Sequence, residues 1–196
     1  MQYKKKEVAD KILEAARDEF LSKGYKNANI VSIAEEAGVP VGNLYRYFSS
    51  KHDLLDAVVG ETVEKIPILV TQIESAESDG APMNLFLVFA CEALMQVFEQ
   101  HGKELVILSS RCAQTKYEDF VENLSKQILT IVIKKMYGGE PNENDTKFAA
   151  IITKSFMSSM FELLRIAKGR EELQELTFRM LKFYFYEVEN RTVSEK

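Results

Sequence analysis

Apolar residues recur at helical spacing along nearly the whole chain, and alternating strand patterns bounded by hairpin turns are absent. Val8, Ile12, Ala16 and Phe20 repeat every four residues, with Leu13 and Leu21 widening the stripe, until Gly24 stops the helix. Ile30, Ile33, Ala34 and Ala37 form a shorter pattern that ends at Gly38, with Asn29 placed to cap its N-terminus. Beyond Val39 and Pro40, another short helix covers Val41 to Tyr47. Ser49 or Ser50 then caps a helix carrying Leu54, Leu55, Val58 and Val59, which Pro67 is expected to end or kink.

Longer helices with clear breakers follow. The stretch 78–82 reads as a loop, and 83–100 is apolar on most sides, as in the centre of a bundle. Gly102 is expected to interrupt before a shorter helix over 104–112, and His101 beside it reads as a helix C-terminal residue. A helix over 118–137 closes at Gly138-Gly139-Glu140-Pro141. Asn144 or Asp145 caps the next, through Ala167, which Gly169 ends. The last helix covers 171 to about 190, with Leu173, Leu176, Met180 and Phe183 in a 3-4-3 rhythm. The fold class expected is all-α.

The 196 residues allow one domain, or a small one joined to a larger one, and need no disulfide or metal staple. Two histidines leave little for a His-based metal site, and Cys91 and Cys112 fit a reducing cytoplasm as two buried thiols, with a redox pair as the alternative. The uncharged apolar stretch 82–91 is far shorter than the ~20 residues of a membrane span. No export signal is visible at the N-terminus, so a cytoplasmic location is expected. The net charge of −5 argues against nucleic acid at first sight. Residues 1–52, however, carry nine bases against seven acids, while the other 144 carry 16 against 23. An N-terminal segment opposite in sign to the body suits contact with a polyanion.

Within that segment, residues 30–48 fit a helix-turn-helix. Ala34 is small where two helices cross, and Gly38 supplies the positive φ of a tight turn. Ile33, Ala37, Val39 and Leu44 are apolar where the two helices must pack. The second helix turns Val41, Asn43, Tyr45, Arg46 and Tyr47 outward, donors and aromatic surface rather than acids, as base and phosphate contacts require. An ordinary helical hairpin with a glycine turn has the same spacing.

Ile12-Leu13-x-Ala15-Ala16, Phe20-x-x-x-Gly24-Tyr25, Ile33-Ala34-x-x-Ala37-Gly38-Val39 and Gly42-x-Leu44-Tyr45-x-Tyr47-Phe48-x-Ser50-Lys51-x-x-Leu54-Leu55 together closely resemble the N-terminal domain of tetracycline-repressor (TetR) family regulators, in unbroken register over residues 7–60. The C-terminal two-thirds shares only helix number and length with that family. The resemblance implies a three-helix DNA-binding domain (1–52) followed by a helical-bundle effector-binding and dimerisation domain (53–196). It implies a homodimer on a palindromic double-stranded operator, acting as a repressor that a small molecule releases. Carried over by position, Asn29 caps the first motif helix near a phosphate. Val41, Gly42, Asn43, Tyr45 and Arg46 face the groove, and Tyr47 and Lys51 meet the backbone. The family often has Ser or Thr where Pro40 stands, Lys or Arg at Val41 and Thr at Asn43; these departures bear on the operator sequence. Asn43 suits an adenine edge and Arg46 a guanine edge. His52 reads as a solvated surface residue.

For the effector, Phe86, Phe89, Phe98, Phe120, Phe156, Met157, Met160 and Phe161 are dense in helices expected to surround one another, either as plain core or as an apolar pocket. Arg111 and Arg165 suit an anionic effector, or ion pairs with Glu104, Glu162 or other acids. Helices 144–167 and 171–190 are the candidate dimer helices, with Ser155, Ser158 and Ser159 allowing close approach. The chain lacks a Glu-x-x-His pair, His-Glu-x-x-His, a phosphate loop and a Gly-x-Ser-x-Gly elbow, so no catalytic residue, metal or cofactor is expected. An enzyme, or a DNA-binding protein regulated by a protein partner, are the competing classes.

Overall fold

The computed structural model describes residues 2–75, 83–109, 112, 114–137 and 141–186, apart from the side chains of 2–4, 73–75, 83, 84, 86 and 135. Among them are eight helices and no strand: α1 (Gln2–Asn27), α2 (Ile30–Glu36), α3 (Val41–Tyr47), α4 (Lys51–Ser75), α5 (Met83–Ser109), α6 (Phe120–Tyr137), α7 (Glu143–Ile166) and α8 (Arg170–Phe185). The chain is all-α, as the periodicity indicates.

Two compact units make up the chain. The first combines Met1–Lys65 with Lys103–Phe120, and the second combines Ile66–Gly102 with Val121–Lys196. The first therefore contains the whole of 1–52 and adds the start of α4, the end of α5 and the turns that follow. Its core is the stripe read from sequence: Ile12, Ala16, Phe20, Ile33, Leu44, Leu54 and Leu55 are all buried. Two ion pairs tie α1 to the returning segment, Arg17 with Glu104 and Asp18 with Lys103 at 3.0 Å. A third joins Asp56 of α4 to Lys116 at 2.7 Å. In the second unit α7 and α8 pack as a pair, with Phe156 meeting Tyr184 and Phe185 edge-on at ring separations of 5.5 and 5.2 Å.

Gly24 breaks the first helix as expected, leaving helical geometry (φ 70°, ψ 160°), and a short helical stretch beyond it reaches Asn27. Other local expectations need correction. Pro67 does not end α4, which runs on to Ser75; buried Thr62 and Ile66 anchor the turn before it, and Thr71 donates to the Pro67 carbonyl. Gly102 does not interrupt α5. A helix-interior glycine costs about 1 kcal/mol, less than the burial of Leu105, Val106, Ile107 and Leu108 just beyond returns. His101 consequently lies buried inside a helix rather than at a C-terminus. Residues 114–119 form turns and a bend, so α6 starts at Phe120 rather than 118.

Asn142, and neither Asn144 nor Asp145, is the N-cap of α7. Its Oδ1 accepts from the Asn144 and Asp145 amides, while Asp145 reaches back to the Asn142 amide. Gly169 stands at the start of α8, three residues after α7 ends. The loop expected over 78–82, the glycines 138–139 and the last residues of the helix expected to reach about 190 fall outside the described residues.

Candidate nucleic-acid interface

The turn between α2 and α3 is built by Gly38. At φ +67° it lets the Val39 amide reach back to the Ala34 carbonyl (2.9 Å) while its own amide donates to Glu35 (3.1 Å), a Schellman arrangement. Ile33 and Ala34 of α2 are buried, as is Leu44, the one buried side chain of α3. Pro40 stands at the N-cap with no side-chain bond, and its carbonyl accepts from the Asn43 and Leu44 amides.

Because Leu44 fixes which way α3 faces, the other side chains of the helix turn out. Gly42, Tyr45 and Arg46 are exposed, and Val41, Asn43 and Tyr47 half-buried. Tyr45 shows 48% of its surface. Asn43, Tyr45 and Arg46 make no side-chain hydrogen bond or ion pair among the described residues. A Cβ at Gly42 would meet open space, so the backbone there is accessible. The face presents amide, phenol and guanidinium groups with no acid between them.

Asn29 caps α2, accepting from the Val31 amide at 2.8 Å. Its own backbone amide donates to Glu19 Oε1 (3.0 Å), and the same oxygen accepts from Lys23 (2.9 Å). Burial raises the Glu19 carboxyl, but the Lys23 and Asn29 hydrogen bonds outweigh it and the balance is downward. Glu19 was not picked out by sequence reasoning, since it stands ten residues from the amide it holds and no periodicity links them.

Lys51 extends across the end of α1. Its ammonium donates to the carbonyls of Tyr25 (2.8 Å), Ala28 (3.0 Å) and Lys26 (3.3 Å) and lies 4.8 Å from the Tyr25 ring centre. Ser50 caps α4 by accepting from the Asp53 amide. His52 is partly exposed beside Asp56 at 3.8 Å, its ring edge-on to Tyr25.

Phe98, Phe156, Met157, Met160 and Phe161 are buried in the second unit, Phe89 is 45% exposed there, and Phe120 is buried in the first unit. Arg165 is exposed and pairs with Glu162 at 3.5 Å, whereas Glu104 is taken by Arg17. Arg111 and the side chain of Phe86 lie outside the described residues. Two grooves open beside α5, of about 270 and 390 Å³, and Phe89 is the expected effector residue among their described lining. Cys91 and Cys112 are buried, and burial pushes the Cys112 thiol up to about 11.

The family model for bacterial regulatory proteins of the tetR family matches residues 12–58, spanning α2, α3 and their supports. The uncharacterized HTH-type transcriptional regulator Rv2912c of Mycobacterium tuberculosis is 31% identical over 187 residues, covering 92% of this chain and 93% of its own. The chain belongs to the tetR family of bacterial regulatory proteins. This TetR-family chain is also 28% identical over 160 residues to the HTH-type transcriptional repressor KstR of Mycolicibacterium smegmatis, covering 79% of this chain and 75% of that one. Among solved structures, the ketosteroid transcriptional regulator KstR2 of Mycobacterium tuberculosis has the same fold, with a TM-score of 0.68 at 19% identity, over 90% of this chain and 92% of that one. The TetR-family chain is a DNA-binding transcriptional regulator. No helix among its described residues is long and apolar enough to cross a membrane.

Proposed function

We propose that this regulator is a cytoplasmic homodimeric repressor. Each 1–52 segment lays α3 in the major groove of one half of a palindromic operator, and 53–196 holds the effector and the dimer contacts. The reading rests above all on the outward face of α3, where Asn43, Tyr45 and Arg46 are free of partners among the described residues. Arg46 reads a guanine edge and Asn43 an adenine edge, Val41 touches a thymine methyl group, and Gly42 lets the backbone approach. Asn29 and Tyr47 meet phosphates from either side. Lys51 closes the α1 turn with three carbonyls and borders the same phosphates. Repression is supported by the similarity to a chain named as a repressor.

Dimerisation is assigned to α7 and α8. Phe148, Ile151 and Ile166 on α7 and Phe183 on α8 are exposed, and Ser155 and Ser158 on α7 leave room for close approach. A small molecule bound in the second unit favours a state in which the two reading heads no longer match the half-site spacing. Moving the population from almost all competent to almost all incompetent takes about 5.5 kcal/mol of differential affinity. The connector is the first part of α4, up to Lys65, with Pro67 marking where its movement begins.

Arg46→Ala is expected to weaken operator binding by about 1–3 kcal/mol, measured by mobility shift at fixed salt on a site selected from random DNA. An unchanged affinity would remove Arg46 from base readout.

A further inference from the structure

The smaller groove beside α5, about 270 Å³, lies within the second unit and is just under the usual range of small-molecule site volumes. Leu69 of α4 and Phe89 and Val97 of α5 give it apolar walls. Its polar lining is three amides, Gln72, Gln96 and Gln100, and one carboxylate, Glu92. Glu92 has no ion pair among the described residues. Phe89, nearly half exposed, brings an aromatic ring to the lining.

Among the described residues that line this groove, Glu92 alone carries a charge, and no lysine or arginine is among them. Glu99, which does not line it, is paired with Arg170 at 2.5 Å. The larger groove on the other side of Glu92 is lined by Glu171 and Glu175, the latter paired with Arg179 at 3.4 Å. Glu92 acts at short range here: burial and then its charge push the neighbouring Cys91 thiol upward. An anionic ligand entering would lose hydration with no cation to replace it, and would face Glu92 as a like charge. A cation would gain that carboxylate, the amide oxygens and the aromatic ring together.

We infer that this groove is a binding site for an apolar organic cation, and that the effector of the regulator belongs to that class. The second half of the inference rests on the ligand-release reading above; the first does not. The natural probe is benzyldimethylhexylammonium, matched against 6-phenylhexanol and 6-phenylhexanoate, titrated calorimetrically into the full chain below any micelle concentration.

The cation is expected to bind at least tenfold more tightly than the carboxylate. Glu92→Gln, at an exposed position that tolerates the amide, should remove most of that preference and leave the alcohol unchanged. Phe89→Leu should weaken the cation more than the alcohol. Carboxylate binding as tight as the cation, no cation binding at all, or a preference untouched by Glu92→Gln would each overturn the site. Operator release is scored separately by mobility shift with the same three compounds. Glu92-dependent binding without release keeps the site and overturns the ligand-release reading. Release by the carboxylate with no cation binding overturns the site and keeps that reading.

Discussion

Gly38 holds φ at +67° with nothing within 4 Å of where a Cβ would stand, so its role is conformational rather than steric. Gly38→Ala should therefore cost about 1–2 kcal/mol, read as a lower midpoint in urea, and Gly38→Asn should cost less. A loss no larger than at an exposed loop position would mean that the turn relaxes. Asp56 is governed by charge instead. Burial opposes its ionisation, but hydrogen bonds from Lys116 and Tyr117 and the charges of Lys116 and His52 prevail, and its carboxyl lies below the ordinary value. A depressed carboxyl stabilises the fold above its unfolded value near pH 4 and loses that stabilisation as pH falls through the folded one. Asp56→Asn should accordingly lower the melting temperature at pH 7 and make much less difference at pH 3. Equal shifts at both would assign the effect to packing. The face of α3 was legible in sequence because a seven-residue helix with one apolar anchor, Leu44, has only one way to turn. The bonds made by Glu19 and Lys51 were not, because each reaches a backbone group ten or more residues away that carries no mark of its own.

Periodicity found the helices among the described residues, though it split α5 in two, while breakers were misjudged where a long apolar helix could absorb them. Gly102 and Pro67 both lie inside continuous helices, since their local cost is set against burial on either side. They are not arbitrary positions, however. Of the three places where the chain passes between the units, 65/66 and 102/103 fall within two residues of them, while 120/121 has no such residue. At two crossings a residue type that disfavours a helix thus stands beside the change of unit without stopping the helix. A Cβ at Gly102 would touch Leu164 at 3.4 Å, an ordinary contact. Gly102→Ala should then stabilise the chain by up to about 1 kcal/mol through helix propensity, seen as a raised thermal midpoint. Destabilisation would show that Leu164 cannot yield. The α7 cap was misplaced by two to three residues because Asn142, Asn144 and Asp145 are all competent caps, and only tertiary context selects among them.

For the molecule as a whole, the apolar residues left outside on α7 and α8 call for a partner of the same kind. Ile151→Glu combined with Phe183→Glu should convert a dimer to monomers in sedimentation velocity at micromolar concentration, with operator affinity falling in parallel; a dimer that survives both changes would place the contact elsewhere. The effector residues were the least legible part. Aromatic density marks buried core and ligand walls alike, and only three-dimensional placement separates Phe156, packed on Tyr184 and Phe185, from Phe89, open to a groove. The first unit also bears on protein engineering. Arg17, Asp18 and Asp56 find their partners in Glu104, Lys103 and Lys116, which the chain supplies only after leaving the unit and returning. A reading head cut out at residue 65 and grafted onto a foreign sensor would arrive with those three charges orphaned and part of its core missing. Specificity swaps between such regulators should therefore exchange the outward residues of α3 and leave the scaffold whole.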